Sequence, residues 1–179
     1  MTELAKRYGG SLYELAAEEH LEARLLEELD GAAACIRAEP AYLRLLSTPS
    51  IPKKERCALL DEAFGGQAHP YVVNFLKILC EEGALRELPG CARAYRTCYN
   101  KDNGIVEVTA TAAAALSADA KEKLTQKLAA LTGKTIDLTV KVDPSVLGGV
   151  RLDMDGVRLD GTVRHRLDAI RSGIDDAVL

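Results

Sequence analysis

The chain has 179 residues, 23 Lys+Arg against 27 Asp+Glu, and 47% hydrophobic residues, which suffices for one packed domain of ordinary size or two small ones. A net charge of only -4 on a chain that is 28% charged points to a soluble globular protein and not a disordered one. The balance, 13 basic and 16 acidic residues up to residue 104 and 10 and 11 after it, also denies nucleic acid the basic stripe it needs.

The first hundred residues read as short helices separated by breakers. Leu4, Tyr8, Leu12 and Leu15 recur at helical spacing, followed by a loop near Glu18–His20. Leu21, Leu25, Leu29, Ala32 and Ile36 form a second stripe, closed by Pro40. A third, short helix fits Ala41–Leu46, before a turn-forming run from Ser47 to Pro52. Residues 53–64 predict a fourth, with Cys57, Leu60 and Phe64 inward and Gly65-Gly66 as its stop. Pro70 opens a fifth, running to Glu82 with Gly83 as its C-terminal signal. A sixth spans about Ala84–Lys101, kinked or restarted at Pro89. The short connections indicate an antiparallel six-helix bundle.

After Asn103-Gly104 the hydrophobic period changes from about 3.6 to 2. Residues 105–111 are β-prone, Ser117 is placed to cap a helix whose buried stripe is Leu124, Leu128 and Leu131, and Gly133 ends it. Ile136, Leu138, Val140 and Val142 alternate with polar residues, as do Val150, Leu152 and Met154. Asp155-Gly156 predicts a hairpin turn into Val157 and Leu159. Val163, Leu167, Ile170 and Ile174 predict a last helix. The fold expected is α+β overall: a helical domain over residues 1–104, then a small β-α-β-β-β-α domain over 105–179. Composition steps at the same place. All six Tyr, both Phe and all five Cys precede residue 104, whereas Val, Ile and Thr together number 8 before residue 105 and 20 from there on.

Candidate sites for chemistry do not assemble. The five Cys include no C-x-x-C pair, and His20, His69 and His165 are not spaced near them in a ligand pattern. Asp153-Met154-Asp155-Gly156 places its Gly at the fourth position, whereas a calcium loop needs it at the sixth, so a hairpin with outward carboxylates accounts for it. Gly148-Gly149 precedes a strand, not a helix, and has no Walker lysine. There is no G-x-S-x-G elbow. The sequence therefore predicts no enzyme, no metal and no cofactor. The N-terminus reads as neither a secretion signal nor a transit peptide, which with an odd Cys count predicts reduced thiols facing a cytoplasm. The longest apolar stretch, Val72 to Cys80, is broken by Asn74 and Lys77 and cannot span a bilayer.

The fifth helix is the exception to this plainness. Val72, Val73, Phe75, Leu76, Ile78, Leu79 and Cys80 cover more than a single stripe. One reading buries the helix at the centre of the bundle; the other makes part of its circumference a groove for a partner's amphipathic helix, and the two are compatible. Gly9 and Gly10 in the first helix each cost about 1 kcal/mol relative to Ala, which close approach of another helix would offset, or else they simply loosen it.

Four stretches then carry a resemblance. These are residues 7–12 (Arg-Tyr-Gly-Gly-Ser-Leu), residues 74–85 from Asn74 to Leu85, residues 142–150 (Val-Asp-Pro-Ser-Val-Leu-Gly-Gly-Val) and residues 159–167 (Leu-Asp-Gly-Thr-Val-Arg-His-Arg-Leu). Over its whole length the chain resembles the delta subunit of bacterial and chloroplast ATP synthase, the counterpart of the mitochondrial oligomycin-sensitivity-conferring protein. It departs in having Gly9 and Gly10 for the more usual Ala, and Glu81-Glu82-Gly83-Ala84 for a Glu-Asn-x-Arg pattern, so no role of that Arg carries over.

The resemblance implies a non-catalytic stator subunit of the rotary proton-translocating enzyme. On that reading the N-terminal domain holds the N-terminal helices of alpha subunits of the catalytic head in a groove between the first and fifth helices. Tyr8, Leu12, Asn74 and Ile78 are the expected groove residues. The C-terminal domain holds the b subunits of the peripheral stalk, with Arg164, Arg166 and Leu167 as expected contacts. The implied location is the cytoplasmic face of a bacterial cell membrane, peripheral and held through partners, without nucleic acid or cofactor. The alternative, a helical RNA-binding or regulatory adaptor with an appended α/β domain, requires a basic stripe that the first half does not have.

Overall fold

A computed structural model describes residues 1–48, 50–146, 148–154 and 157–161. Two compact units divide between Asn100 and Lys101.

The first unit is helical: α1 (Glu3–Glu18), α2 (Glu22–Ala38), α3 (Pro40–Leu46), α4 (Lys53–Phe64), α5 (Pro70–Glu81) and α6 (Leu88–Asp102), with a single 3-10 turn at Leu85–Glu87 before α6. Several starts have a local cause. The Thr2 hydroxyl accepts the Ala5 N–H to cap α1, and the Nδ1 of His69 accepts the Tyr71 N–H to cap α5, where Pro70 occupies the first turn at no cost. The Glu28 carboxylate on α2 accepts the His69 N–H at 2.5 Å, tying this start to a neighbouring helix. Pro89 falls in the first turn of α6, so the expected sixth helix is restarted there after the 3-10 turn. Gly83 (φ +67) follows α5 in the left-handed conformation.

The core of this unit is a continuous apolar cluster that takes Leu12, Tyr13 and Ala16 from α1, Leu25, Leu29 and Ile36 from α2, and Val72, Leu76 and Leu79 from α5. Two arrangements differ from the periodicity. On α1 the buried residues are Ala5, Gly9, Leu12, Tyr13 and Ala16, while Leu4 and Tyr8 are half-buried and Leu15 is exposed. The helix carries two adjacent apolar stripes, with Leu4, Tyr8 and Leu15 on the outer one and the small Ala5 and Gly9 where α6 comes closest. On α4 the inward residues are Arg56 and Leu60, with Cys57 and Phe64 only half-buried. The Arg56 guanidinium is buried because Nη1 donates to the Leu46 carbonyl at 2.9 Å, closing the end of α3.

Close approach is concentrated where α1 meets α6. A Cβ on Gly9 would lie 2.4 Å from the Cys91 carbonyl oxygen and 2.8 Å from Ala94 Cβ, and one on Gly90 would lie 2.9 Å from Ala5 Cβ. Gly10 has nothing within 4 Å. Only one of the two glycines in α1 is therefore explained by packing. Behind it, Tyr13 and Tyr95 meet edge to face at 5.3 Å, and the Tyr95 hydroxyl donates to the Glu22 carbonyl at 3.0 Å.

The second unit begins with β1 (Ile105–Ala112), followed by α7 (Ala118–Thr132), β2 (Thr135–Val142), β3 (Val150–Met154) and β4 (Val157–Asp160). The sheet is mixed, in the order β2-β1-β3-β4. β1 and β2 run parallel, with Ile105 opposite Thr135 and Ala112 opposite Val142, so α7 is the crossover of a βαβ unit. β3 is antiparallel to β1, and β4 to β3. Val106, Val108 and Ala110 of β1 pack with Ile136 and Leu138 of β2 under Leu128 of α7. Ser117 caps α7 through the Ala120 N–H, and Gly133 (φ +67) ends it. Leu131, expected in the stripe of α7, is 83% exposed. The helix buries Leu128 and half-buries Leu124 and Ala129 against the sheet, while Leu131, in its last turn, is left uncovered.

Between β2 and β3 the chain turns on Asp143, whose Oδ1 accepts from both the backbone N–H and the hydroxyl of Ser145. These bonds hold its carboxyl below the usual range. Gly148 and Gly149, with φ of +79 and +82, supply the left-handed backbone there. The hairpin turn at 155–156, the helix predicted from Val163, and Arg164, Arg166 and Leu167 all lie outside the described residues.

Candidate functional site

The first unit has an open apolar groove of about 590 Å³ between one face of α1 and one face of α5. The outer stripe of α1 supplies Tyr8, Leu12 and Leu15, and α5 supplies Tyr71, Phe75 and Ile78. Leu12 and Phe75 form the floor and are 5% exposed. Leu15 and Ile78 form the walls at 38% and 46%. Polar residues stand at the rim: Arg7 and Ser11 on α1, Asn74 on α5. The Arg7 guanidinium lies 5.7 Å from the centroid of the Tyr8 ring, fixing that ring by a cation–π contact.

Sequence order explains how two distant segments build one groove. Positions 8, 12 and 15 on α1, and 71, 75 and 78 on α5, each follow an i, i+4, i+7 spacing, so each set lies on one helix face. The inner face of α5, carrying Val72, Val73, Leu76, Leu79 and Cys80, is buried in the core. One face of α5 is therefore core, and another lines the groove. Tyr8, Leu12, Asn74 and Ile78 are brought together as lining residues of this one groove. Leu15, Tyr71 and Phe75 line it as well. Leu15 was legible as part of the α1 stripe and Phe75 as part of the broad α5 surface, whereas nothing marked Tyr71.

The groove suits burial, not bond chemistry. It contains two tyrosines, an arginine, a serine and an asparagine but neither a carboxylate nor a thiol, so no acid, base or nucleophile pair meets there. Elsewhere the buried thiols are held protonated. Burial pushes Cys91 up to about 11, with the Glu87 charge adding to it, and burial raises Cys80 despite the opposing Arg56 charge. Burial, then the charge of Glu22, likewise raises the Tyr95 hydroxyl. Among the described residues no three His, Cys, Asp or Glu side chains are placed to hold a metal ion, and no helix is long and apolar enough to cross a membrane.

Comparison with known proteins adds an independent line. A family described as ATP synthase delta (OSCP) subunit matches residues 4–174. The protein called ATP synthase subunit delta in Lacticaseibacillus casei (strain BL23) is 34% identical over 172 residues, covering 96% of this chain and 94% of its own. That of Desulfitobacterium hafniense (strain DSM 10664 / DCB-2) is 30% identical over 174 residues, covering 97% of each. Among solved structures, a chain of the Toxoplasma gondii mitochondrial ATP synthase hexamer superposes with a TM-score of 0.73 at 21% identity, over 97% of this chain and 98% of that one. At that identity the likeness is one of fold.

Proposed function

The chain belongs to the ATP synthase delta (OSCP) subunit family, and we propose that within that enzyme's stator its α1–α5 groove holds an N-terminal helix of an alpha subunit of the catalytic head. Membership makes it a peripheral-stalk component of the rotary complex that serves ATP synthesis, and in our reading its part there is structural, not catalytic. The observation supporting the groove assignment is the open apolar trough with Leu12 and Phe75 as floor and Leu15 and Ile78 as walls. An amphipathic helix laid there buries its own apolar stripe against both faces. At about 25 cal/mol per Å² such burial supplies a durable contact without any covalent link.

The rest of the reading follows from the task. Rotation of the central shaft drags the head round unless a strut grips it and is anchored elsewhere. In our proposal the six-helix bundle is the grip, and the second domain, residues 105–179, holds the b subunits, with Arg164, Arg166 and Leu167 at that contact. The chain then reaches the cytoplasmic side of the cell membrane through its partners. The RNA-binding alternative is not favoured: the first half carries three more acidic than basic residues.

The test is calorimetric titration of the full chain with a peptide of an alpha-subunit N-terminus. Wild-type protein binds it, and Ile78→Asp does not. Asp at this wall sets a charge against the incoming apolar stripe, costing about 3 kcal/mol, roughly a hundredfold in Kd. Because Ile78 is 46% exposed in the free chain, circular dichroism of the variant should remain that of the folded protein. Unaltered peptide affinity in a folded Ile78→Asp variant refutes the groove assignment.

A further inference from the structure

A second surface of the first unit is unlike the groove. Between α2, α3, the 3-10 turn and α6 lies a narrow slot of about 170 Å³ floored by Ile36, Leu43, Leu85 and Leu88. Ile36, Leu85 and Leu88 are buried core residues, so the floor is rigid. The slot shares Ala33, Arg37 and Pro89 with a shallower trough of about 400 Å³ that runs between α2 and α6 past Ala92 and Arg93. Ala33 and Ala92 leave room along that trough for a third backbone to approach.

The charge around these two cavities runs against that of the unit. Arg37 and Arg86 stand at the slot, and Arg37 and Arg93 line the trough. All three are exposed. Asp30, which also lines the trough, pairs with Arg96, and Glu87 accepts the Thr2 hydroxyl at 2.6 Å, while Glu39, next to the slot-lining Pro40, is exposed. Among the described residues no ion pair or hydrogen bond occupies the Arg37 or Arg86 guanidinium. A unit with an acidic excess thus gathers cationic groups around an apolar opening sized for a single side chain.

We propose that this slot and trough form a second docking surface, for a short acidic segment of a partner protein. One large apolar side chain, Leu or Phe, enters the slot between Leu43 and Leu85. Carboxylates flanking it pair with Arg37 and Arg86, and the rest of the segment lies along the trough beside Arg93. The geometry is that of a single-anchor motif, whereas the α1–α5 groove takes a long apolar stripe. Guanidinium forks favour carboxylates at fixed spacing, and the acidic surface elsewhere repels such a segment, so charge directs it here.

The probe is an array of short peptides with one Leu or Phe anchor and Glu residues three or four positions to either side, with matched Gln peptides. Binding to the full chain is read by fluorescence anisotropy. Several Glu peptides should bind, with Gln counterparts at least tenfold weaker. Arg37→Glu combined with Arg86→Glu should abolish binding, and Ala33→Phe, which fills the slot, should weaken it at least tenfold. Ile78→Asp should leave it unchanged, which separates this surface from the groove whatever the groove holds. Near-ultraviolet circular dichroism establishes that each variant is folded. The proposal fails if no Glu peptide binds, if Gln peptides bind equally, or if folded Arg37→Glu/Arg86→Glu protein binds as wild type. It also fails if an RNA oligonucleotide displaces the peptide as well as unlabelled peptide does, for then the surface is only a basic patch. A self-associated wild-type chain that the double variant makes monomeric would likewise overturn it, the occupant being a second copy.

Discussion

Substituting Ala at two adjacent glycines of α1 should shift stability in opposite directions. In an exposed helix interior the change is worth about 1 kcal/mol in favour of Ala. A methyl group on Gly10 would meet nothing within 4 Å, so Gly10→Ala should realise most of that gain. At Gly9 the same methyl would sit 2.4 Å from the Cys91 carbonyl oxygen and 2.8 Å from Ala94 Cβ, where ordinary contact begins near 3.4 Å. Neither neighbour is the end of a flexible side chain, so α1 must back away from α6 by about 1 Å, straining the core at a cost of about 1–3 kcal/mol. Strain exceeds propensity, and Gly9→Ala should be destabilising by about 1 kcal/mol. For a helical unit of this size 1 kcal/mol moves Tm by roughly 4–8 °C. The assay is favourable because all six tyrosines, and no tryptophan anywhere, lie in the first unit. Near-ultraviolet circular dichroism therefore follows that unit alone. Gly10→Ala should melt higher than wild type and Gly9→Ala lower. A Tm for Gly9→Ala equal to or above wild type would refute the claim that α1–α6 contact requires glycine there.

Alkaline titration offers a second check. The Tyr95 hydroxyl ionises later in the folded chain than in the unfolded one, because of burial and Glu22. The unfolded state therefore loses this proton first as pH rises past about 10, and the stability that Tyr95 contributes, complete below that pH, falls as pH climbs towards its folded value. Phenolate absorbance should show Tyr95 and Tyr42, which burial also raises, titrating above the ordinary tyrosine value. Thiol counting should follow burial: Cys35 is exposed and should react at once with an aromatic disulfide reagent, whereas Cys80 and Cys91 should react only on unfolding. Arg56→Met should change unfolding free energy by no more than about 1 kcal/mol, since its buried Nε lacks a hydrogen bond and only Nη1 donates to Leu46; a loss of several kcal/mol would mean the guanidinium is a keystone of the α3–α4 junction.

Local chemistry alone determined much of this protein. Pro70 and Gly83 bracket α5, Ser117 and Gly133 bracket α7, and the alternation from Ile136 to Val142 makes β2, because caps, breakers and periodicity act within a few residues of the chain. The end-to-end resemblance likewise lay in the residues, Asp143 to Gly149 above all, a stretch that includes an Asx bond at Asp143 and two left-handed glycines at 148 and 149. Periodicity could show that α1 and α5 carry more apolar surface than one stripe needs. It could not say which stripe is core. That was decided by the neighbours: α6 presses on Gly9 and claims the small-residue face of α1, leaving Tyr8 and Leu15 on the outer one, while Leu131 of α7, spaced as a core residue, is left 83% exposed. The arginine-rimmed slot was invisible for the same reason. Arg37 and Arg86 are 49 positions apart in the chain, and only tertiary packing sets them around one opening. Periodicity ranks the faces of a single helix, whereas burial is a property of the pair of surfaces that meet.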